Sequence, residues 1–192
     1  KYSDQPDVKG VLERDSTLLL SIIHHLNKGV DYSNKKLNPA PKPIYPFAVS
    51  NATAKDMNSL KKRMIKKLNY GARAIITQPV YDLENAKELL ALFEEAKESS
   101  IRDTAKEAQF VLGQFPIVRA KTANFIDDKV PGISVPKPII DEMNLAAMDG
   151  EDREQEVGFA LSKRIFDEMM GIHGKVHLMT HNRFDLCSDL IG

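Results

Sequence analysis

Short apolar segments alternate with longer amphipathic ones along most of this chain, and that alternation limits the fold more than any other feature. Residues 44–49, 72–80 (ARAIITQPV), 109–118 (QFVLGQFPIV) and 175–180 (KVHLMT) read as strands. Residues 55–69 read as a helix with Met57, Leu60, Met64, Ile65 and Leu68 in register, stopping near Gly71. Further helices are predicted over 83–97, 119–128, 139–148, 153–170 and 184–191, and a charged connector over 98–107 is read as prolonging the helix before it. An opening helix, capped by Asp15 or Ser16, runs to Asn27 and ends at Gly29, while 1–10 and the Pro- and Asn-rich 31–43 are loops. Strands that alternate with helices imply a parallel sheet with right-handed crossovers. Two closures remain: an open doubly wound sheet or a (β/α)8 barrel. A barrel takes ~250 residues for eight strands, so four strands make half of one.

Composition then narrows the function classes. Lys plus Arg and Asp plus Glu are both 27, so the formal net charge is zero, which argues against a nucleic-acid or anionic-membrane partner. The longest apolar runs, such as 18–20 and 22–23, are far too short to span a bilayer. Cys187 is the only cysteine, so neither an internal disulfide nor a cysteine-based zinc site can form, and a reducing, cytoplasmic setting is expected. The 192 residues are read as a single domain, 1–192, and the start at Lys1, with no Met and no signal-peptide pattern, as part of a longer chain.

In both closures the chemistry lies at the C-terminal ends of the strands. The residues there are Ser50 and Asn51, then Thr77, Gln78 and Tyr81, then Gln114, Arg119 and Lys121, then Thr180, His181, Asn182 and Arg183. No strand ends in a cluster of His, Asp or Glu, which disfavours a metal hydrolase. No lysine lies within an apolar strand, and the G-x-G-x-x-G and G-x-S-x-G patterns are absent. Amides, hydroxyls and arginine suit a ligand with heteroaromatic edges and anionic tails. Residue type alone leaves Gln78 open between that role and a buried amide satisfying loop backbone. Arg183 is by default a surface ion-pair residue. His177 reads as packing, His24 and His25 as helix-surface or partly buried, Cys187 as a packed thiol and the spaced methionines as core. The run Lys61, Lys62, Arg63, Lys66 and Lys67 is by default a solvated helix face, although such a face can also meet a phosphate.

Four ordered stretches, 71–82 (GARAIITQPVYD), 113–117 (GQFPI), 130–136 (VPGISVP) and 178–186 (LMTHNRFDL), resemble motifs of the 5,10-methylenetetrahydrofolate reductase family. The wording of ITQPVYD, NFIDDKVPGI and NRFDL is most similar to the branch fused to homocysteine methyltransferase domains. The resemblance implies a (β/α)8 TIM-barrel-type α/β fold, of which this chain covers about strands 5–8. It implies FAD as cofactor, with hydride passing from NAD(P)H to the flavin and then to methylenetetrahydrofolate, giving methyltetrahydrofolate for methionine synthesis. It places Gln78 against the folate pterin, with Arg183 and Tyr81 as further substrate contacts. Ser50, Asn51, Arg63, Lys66 and Lys67 become the flavin contacts, and a homo-oligomer is expected.

The chain also departs from the family pattern. Residues 49–53 (VSNAT) stand where many members carry Tyr-Pro-Glu and His-Pro-Glu, and Arg119 and Ala120 stand where some place an aromatic. The family's general-acid glutamate and flavin-tuning aspartate are expected upstream of Lys1. The 192 residues alone are therefore expected to be inactive, with no catalytic residue of their own. One other reading is a non-catalytic half-barrel module for binding or assembly. A weaker one is a different barrel enzyme acting on a phosphorylated substrate.

Overall fold

The structure, a computed structural model, describes residues 16–192. The loop expected over 1–10 and the Asp15 cap lie outside the described residues. The elements in chain order are α1 (Ser16–Asn27), β1 (Phe47–Ser50), α2 (Met57–Asn69), β2 (Ala74–Pro79), α3 (Leu83–Glu98), α4 (Asp103–Lys106), β3 (Gln109–Gln114), α5 (Ala120–Lys129), α6 (Lys137–Met148), α7 (Glu151–Ile172), β4 (Val176–Leu178) and α8 (Phe184–Ile191).

Local chemistry explains where these elements start and stop. The strand expected from residue 44 begins only at Phe47. Pro46 has no N–H for a ladder, and the Ile44 backbone is already taken by Asn27, whose side-chain amide accepts from Ile44 N–H and donates to Ile44 C=O, each at 2.8 Å. Asp56 caps α2 by accepting from the N–H groups of Asn58 and Ser59, and Asp82 caps α3 by accepting from Glu84. The connector 98–107 does not prolong α3. Its turn is closed by the Ser100 hydroxyl, which donates to Ala96 C=O at 2.8 Å, and Ile101 N–H, which donates to Asn69 Oδ1 at 3.0 Å. The short α4 follows as a separate element.

The four strands are all parallel and lie in the order β1-β2-β3-β4. A doubly wound sheet reverses its strand order at a switch point. Among the described residues there is no reversal, which is the arrangement of an arc of a barrel. The helix layer repeats the order: α1 packs on α2, α2 on α3, α3 on α7 and α7 on α8. The β3–β4 crossover carries α5 and α6 as an added pair before α7 returns to the sheet.

The two faces of the sheet differ. Ala48, Ile75 and Phe110 share one register line and are buried beneath the helices, where Phe93 of α3 stacks on Phe110 at 4.6 Å. Phe47 and Val49 point the other way and are 56% and 58% exposed. Helix α7 comes close to the sheet because Gly158 has no side chain: a Cβ there would lie 2.6 Å from Val118 Cα. The Ser162 hydroxyl then donates to Ile117 C=O at 3.2 Å, and the amide of Gln114 donates to Ser162 C=O at 2.7 Å. No helix among the described residues is long and apolar enough to cross a membrane.

Candidate functional site

A bulge in β2 builds the centre of the site. Ile76 pairs with Val111 but Pro79 pairs with Gly113, so three steps on β2 match two on β3. The buried Thr77 fills the gap: its Oγ1 accepts the Gly113 N–H at 2.8 Å, and Gly113 C=O then accepts from Val80 N–H at 2.9 Å. Gly113 is required by space, since a Cβ would lie 2.3 Å from Thr77 O and 2.8 Å from Met179 Cε. The bulge re-aims the next side chain, Gln78, toward the open face of the sheet. There its Oε1 is buried and has no hydrogen-bond partner.

Residues 130–135 come back over this point. Gly132 C=O accepts from the N–H groups of both Ala52 and Thr53 at 3.1 Å, and Asp127 holds the far side by accepting from Val135 N–H at 2.9 Å. Gly132 has φ +83, and a Cβ there would lie 2.7 Å from Gln78 Oε1 and 2.8 Å from Asn51 Nδ2. Only glycine lets the loop meet both amides.

Two spaces adjoin this junction. An apolar cavity of about 640 Å3 is walled by Val49, Ile76, Phe115, Phe125, Ile133 and Met179, with Gln78, Thr122, His177 and His181 as its polar groups. A cleft of about 450 Å3 is lined by Asn51, Thr53, Ala54, Lys55, Arg63 and Gly132. It contains two cations and no carboxylate. No carboxylate lines the apolar cavity either, and no group of three or more His, Cys, Asp or Glu able to hold a metal occurs among the described residues.

The sequence-predicted site residues distribute as follows. Gln78 lines the apolar cavity, while Asn51 and Arg63 line the polar cleft. Ser50 is buried, and its hydroxyl donates to Asn51 C=O at 3.3 Å. Tyr81 is buried outside the cavity lining. Its hydroxyl donates to Phe115 C=O at 3.0 Å, bracing the ring that forms the wall, and burial holds the phenol in its protonated form. Lys67, on α2, donates from Nζ to Val49 C=O, and Lys66 precedes it on the same helix. Neither lysine lines either space. Arg183 is exposed at the start of α8, two residues beyond His181. Arg119 is committed to an ion-pair cluster with Glu151 and Glu154, and Glu154 also accepts from Ala120 N–H at 2.7 Å. Those bonds hold the Glu154 carboxyl below its ordinary range.

Sequence reasoning gave three further lining residues no binding role, although it counted His181 among the strand-end groups and Gly132 within the 130–136 stretch. His177 was read as packing but is exposed on the open face and lines the cavity. Its place in a strand parallel to Gly113 gave the signal, because alternation sends it to the face opposite the helices. His181, with φ +47, packs edge-on against Phe115 at 5.2 Å. Gly132 carried only the Pro-Gly turn signal.

Comparison with known proteins bears on this geometry. The model of the methylenetetrahydrofolate reductase family matches residues 4–191. No curated protein matches. Among solved structures, an uncharacterized protein from Clostridium thermocellum that binds two copies of 5-methyl-5,6,7,8-tetrahydrofolic acid is similar in fold, with 23% identity and a TM-score of 0.54. The match covers 81% of this chain and 53% of that one, so the chain spans about half the length of that structure.

Proposed function

We propose a function from one premise: the chain belongs to the methylenetetrahydrofolate reductase family. In this reading it forms strands 5–8 of a (β/α)8 barrel that reduces 5,10-methylenetetrahydrofolate to 5-methyltetrahydrofolate. Its own part of the work is to bind and orient the folate at the C-terminal strand ends. The observation that carries the reading is the buried, unpartnered Oε1 of Gln78 at the edge of an apolar cavity. A neutral amide accepts through its oxygen and donates through its nitrogen, which matches the mixed donor–acceptor edge of a pterin. The aliphatic and aromatic walls suit the flat ring. The similar Clostridium thermocellum protein, which binds a methylated reduced folate, supports the same ligand class.

The polar cleft fits the pyrophosphate of FAD. Lys55 and Arg63 supply positive charge, Asn51 and Thr53 supply hydrogen bonds, and no carboxylate opposes an anion. Lys66 and Lys67 follow Arg63 at helical spacing and extend its positive face. When bound, the flavin carries hydride between NAD(P)H and the folate. No carboxylate lines either space, so a carboxylic proton donor of the kind the family resemblance implies would come from outside these residues. Arg183, near the mouth, remains the proposed contact for the folate's anionic tail. The setting proposed is the cytoplasm, in one-carbon metabolism that feeds methionine synthesis.

Titrating the 192-residue chain with 5-methyltetrahydrofolate, with and without FAD, tests this. Saturable folate binding, visible flavin absorption after gel filtration and little or no NAD(P)H-dependent turnover are expected. Absence of folate binding overturns the reading, and full turnover overturns the claim that the proton donor lies elsewhere. A second reading, a non-catalytic module that self-associates, is favoured by the exposed Phe47 and Val49 on the uncovered sheet face. Folate binding and self-association without flavin would select it.

A further inference from the structure

We propose that the pocket at the N-terminal ends of β1 and β2 is a second binding site, for a small oxyanion (a carboxylate or a phosphate) carried on a compact apolar body. The pocket has a volume of about 360 Å3, near the lower end for small-molecule sites. It lies at the opposite end of the sheet from Gln78, so it is separate from the folate reading.

Its charge is unbalanced. Arg102 has no carboxylate partner among the described residues. Its two terminal nitrogens lie 3.1 and 3.2 Å from the two ring nitrogens of His24, so the guanidinium lies along the imidazole. His24 is held below its ordinary pKa, first by burial and then by Arg102, and so near pH 7 it adds no charge of its own to the pocket. Arg73 gives one terminal nitrogen to Glu107 at 3.0 Å, but its Nε is buried with no hydrogen-bond partner. No Asp or Glu lines the pocket. A buried donor without a partner costs roughly 1–3 kcal/mol, and an oxyanion placed between two guanidinium groups removes that cost with charge-assisted bonds.

The remaining walls define what the anion is attached to. Pro43, Ile44 and Tyr45 form an apolar side, and the Arg73 guanidinium stands 5.7 Å from the Tyr45 ring centre. The Asn27 amide is occupied by the Ile44 backbone and the Tyr45 hydroxyl by Arg73 C=O, which leaves the Thr104 hydroxyl and the His24 ring as the uncharged polar groups lining the space. Two cations, an imidazole, one hydroxyl and a proline–aromatic wall select an anionic head with an apolar body. They do not select a polyhydroxylated ligand.

The test uses the full 192-residue chain and three probes: phenyl phosphate, benzoate and phenol. Arginine Nε–H resonances are followed by 15N-edited NMR, since Arg73 reports directly from the pocket. Expected are saturable shifts of the Arg73 and Arg102 signals with phenyl phosphate or benzoate, none with phenol, and binding weaker by about tenfold or more in Arg102→Gln. The stronger of the two anions identifies the head group. Arg73→Gln provides an independent variant, and circular dichroism verifies that both variants fold. Three outcomes overturn the proposal: no saturable shift with either anion, unchanged affinity in a folded Arg102→Gln, or phenol binding as well as the anions.

Discussion

At the C-terminal ends of the strands the ladder is broken by a bulge and the groups facing solvent are a neutral amide, two imidazoles and apolar walls. At the N-terminal ends of β1 and β2 the register is regular and the facing groups are two arginines beside a proline-rich wall. The same sheet therefore presents an amide in an apolar cavity beside a cationic cleft at one end, and two arginines beside an apolar wall at the other. The difference shows how the sequence divides the work. The break in the ladder lies at the end where a side chain has to be aimed, and it is held there by one hydroxyl and two glycines. The ladder is regular at the end that carries the two arginines, one of them paired with Glu107.

The most disruptive way to erase this contrast is to make the bulge impossible. Gly113→Ala drives a Cβ to within 2.3 Å of the Thr77 carbonyl, a backbone atom that cannot swing away. We expect a loss of about 2–3 kcal/mol, the upper part of the range for overpacking, measured by urea unfolding. Unchanged stability would mean that the bulge is not held as described. Next comes the amide itself. Gln78→Met keeps the volume and removes an unpartnered buried oxygen, so stability should hold or rise slightly. Affinity for 5-methyltetrahydrofolate should fall by about 10–100-fold, the equivalent of one or two lost hydrogen bonds. Calorimetry on the same sample reads both quantities, and retained affinity would remove Gln78 from the site.

A matched pair of glycines sharpens the comparison further. Gly132 and Gly150 both have positive φ, but a Cβ at 132 meets Gln78 and Asn51 whereas one at 150 meets nothing within 4 Å. Each Ala variant pays for a positive φ, on the order of 1–3 kcal/mol, and Gly150, at φ 107 and ψ 171, lies in a region essentially reserved for glycine. Only Gly132→Ala should also weaken folate binding, by roughly tenfold, since it displaces the two amides. Equal affinities in the two variants would show that the loop covers the site without positioning it.

Much of this was legible in the sequence because it depends on local order. Alternation of strands and helices fixes a parallel sheet, and the fragment 74–79 carries Thr77 and Gln78 near its C-terminal end, where a strand-end rule selects them. What was not legible depends on closure between distant segments. The extra residue in β2 shows only in the step from Val111 to Gly113 on the partner strand. Tyr81 looked ligand-facing because it follows the strand, yet its hydroxyl is drawn to the Phe115 carbonyl and the residue lies behind the wall. His177 looked like packing because a strand histidine usually is, but here it is exposed on the face opposite the helices and lines the apolar cavity. Arg119 looked free at a strand end until Glu151 and Glu154 arrived from a helix two elements later.

The smallest expected effect belongs to the other end of the sheet and runs through His24. Burial and the adjacent Arg102 lower its folded-state pKa from the ordinary 6.5. Below that ordinary value the unfolded chain takes up a proton that the folded chain resists. The contribution of a neutral His24 is therefore fully present above about pH 6.5 and is lost as pH falls through the lowered folded value. Melting temperatures recorded from pH 7.5 to 5 should decline more for the parent chain than for His24→Gln, which has no proton to gain. The gap between the two curves should stay below the ~2–4 °C that 1 kcal/mol gives in a protein of this size, because the ring is only partly buried. Two curves that run parallel across this range would mean that neither burial nor the adjacent Arg102 holds the imidazole neutral in the folded chain.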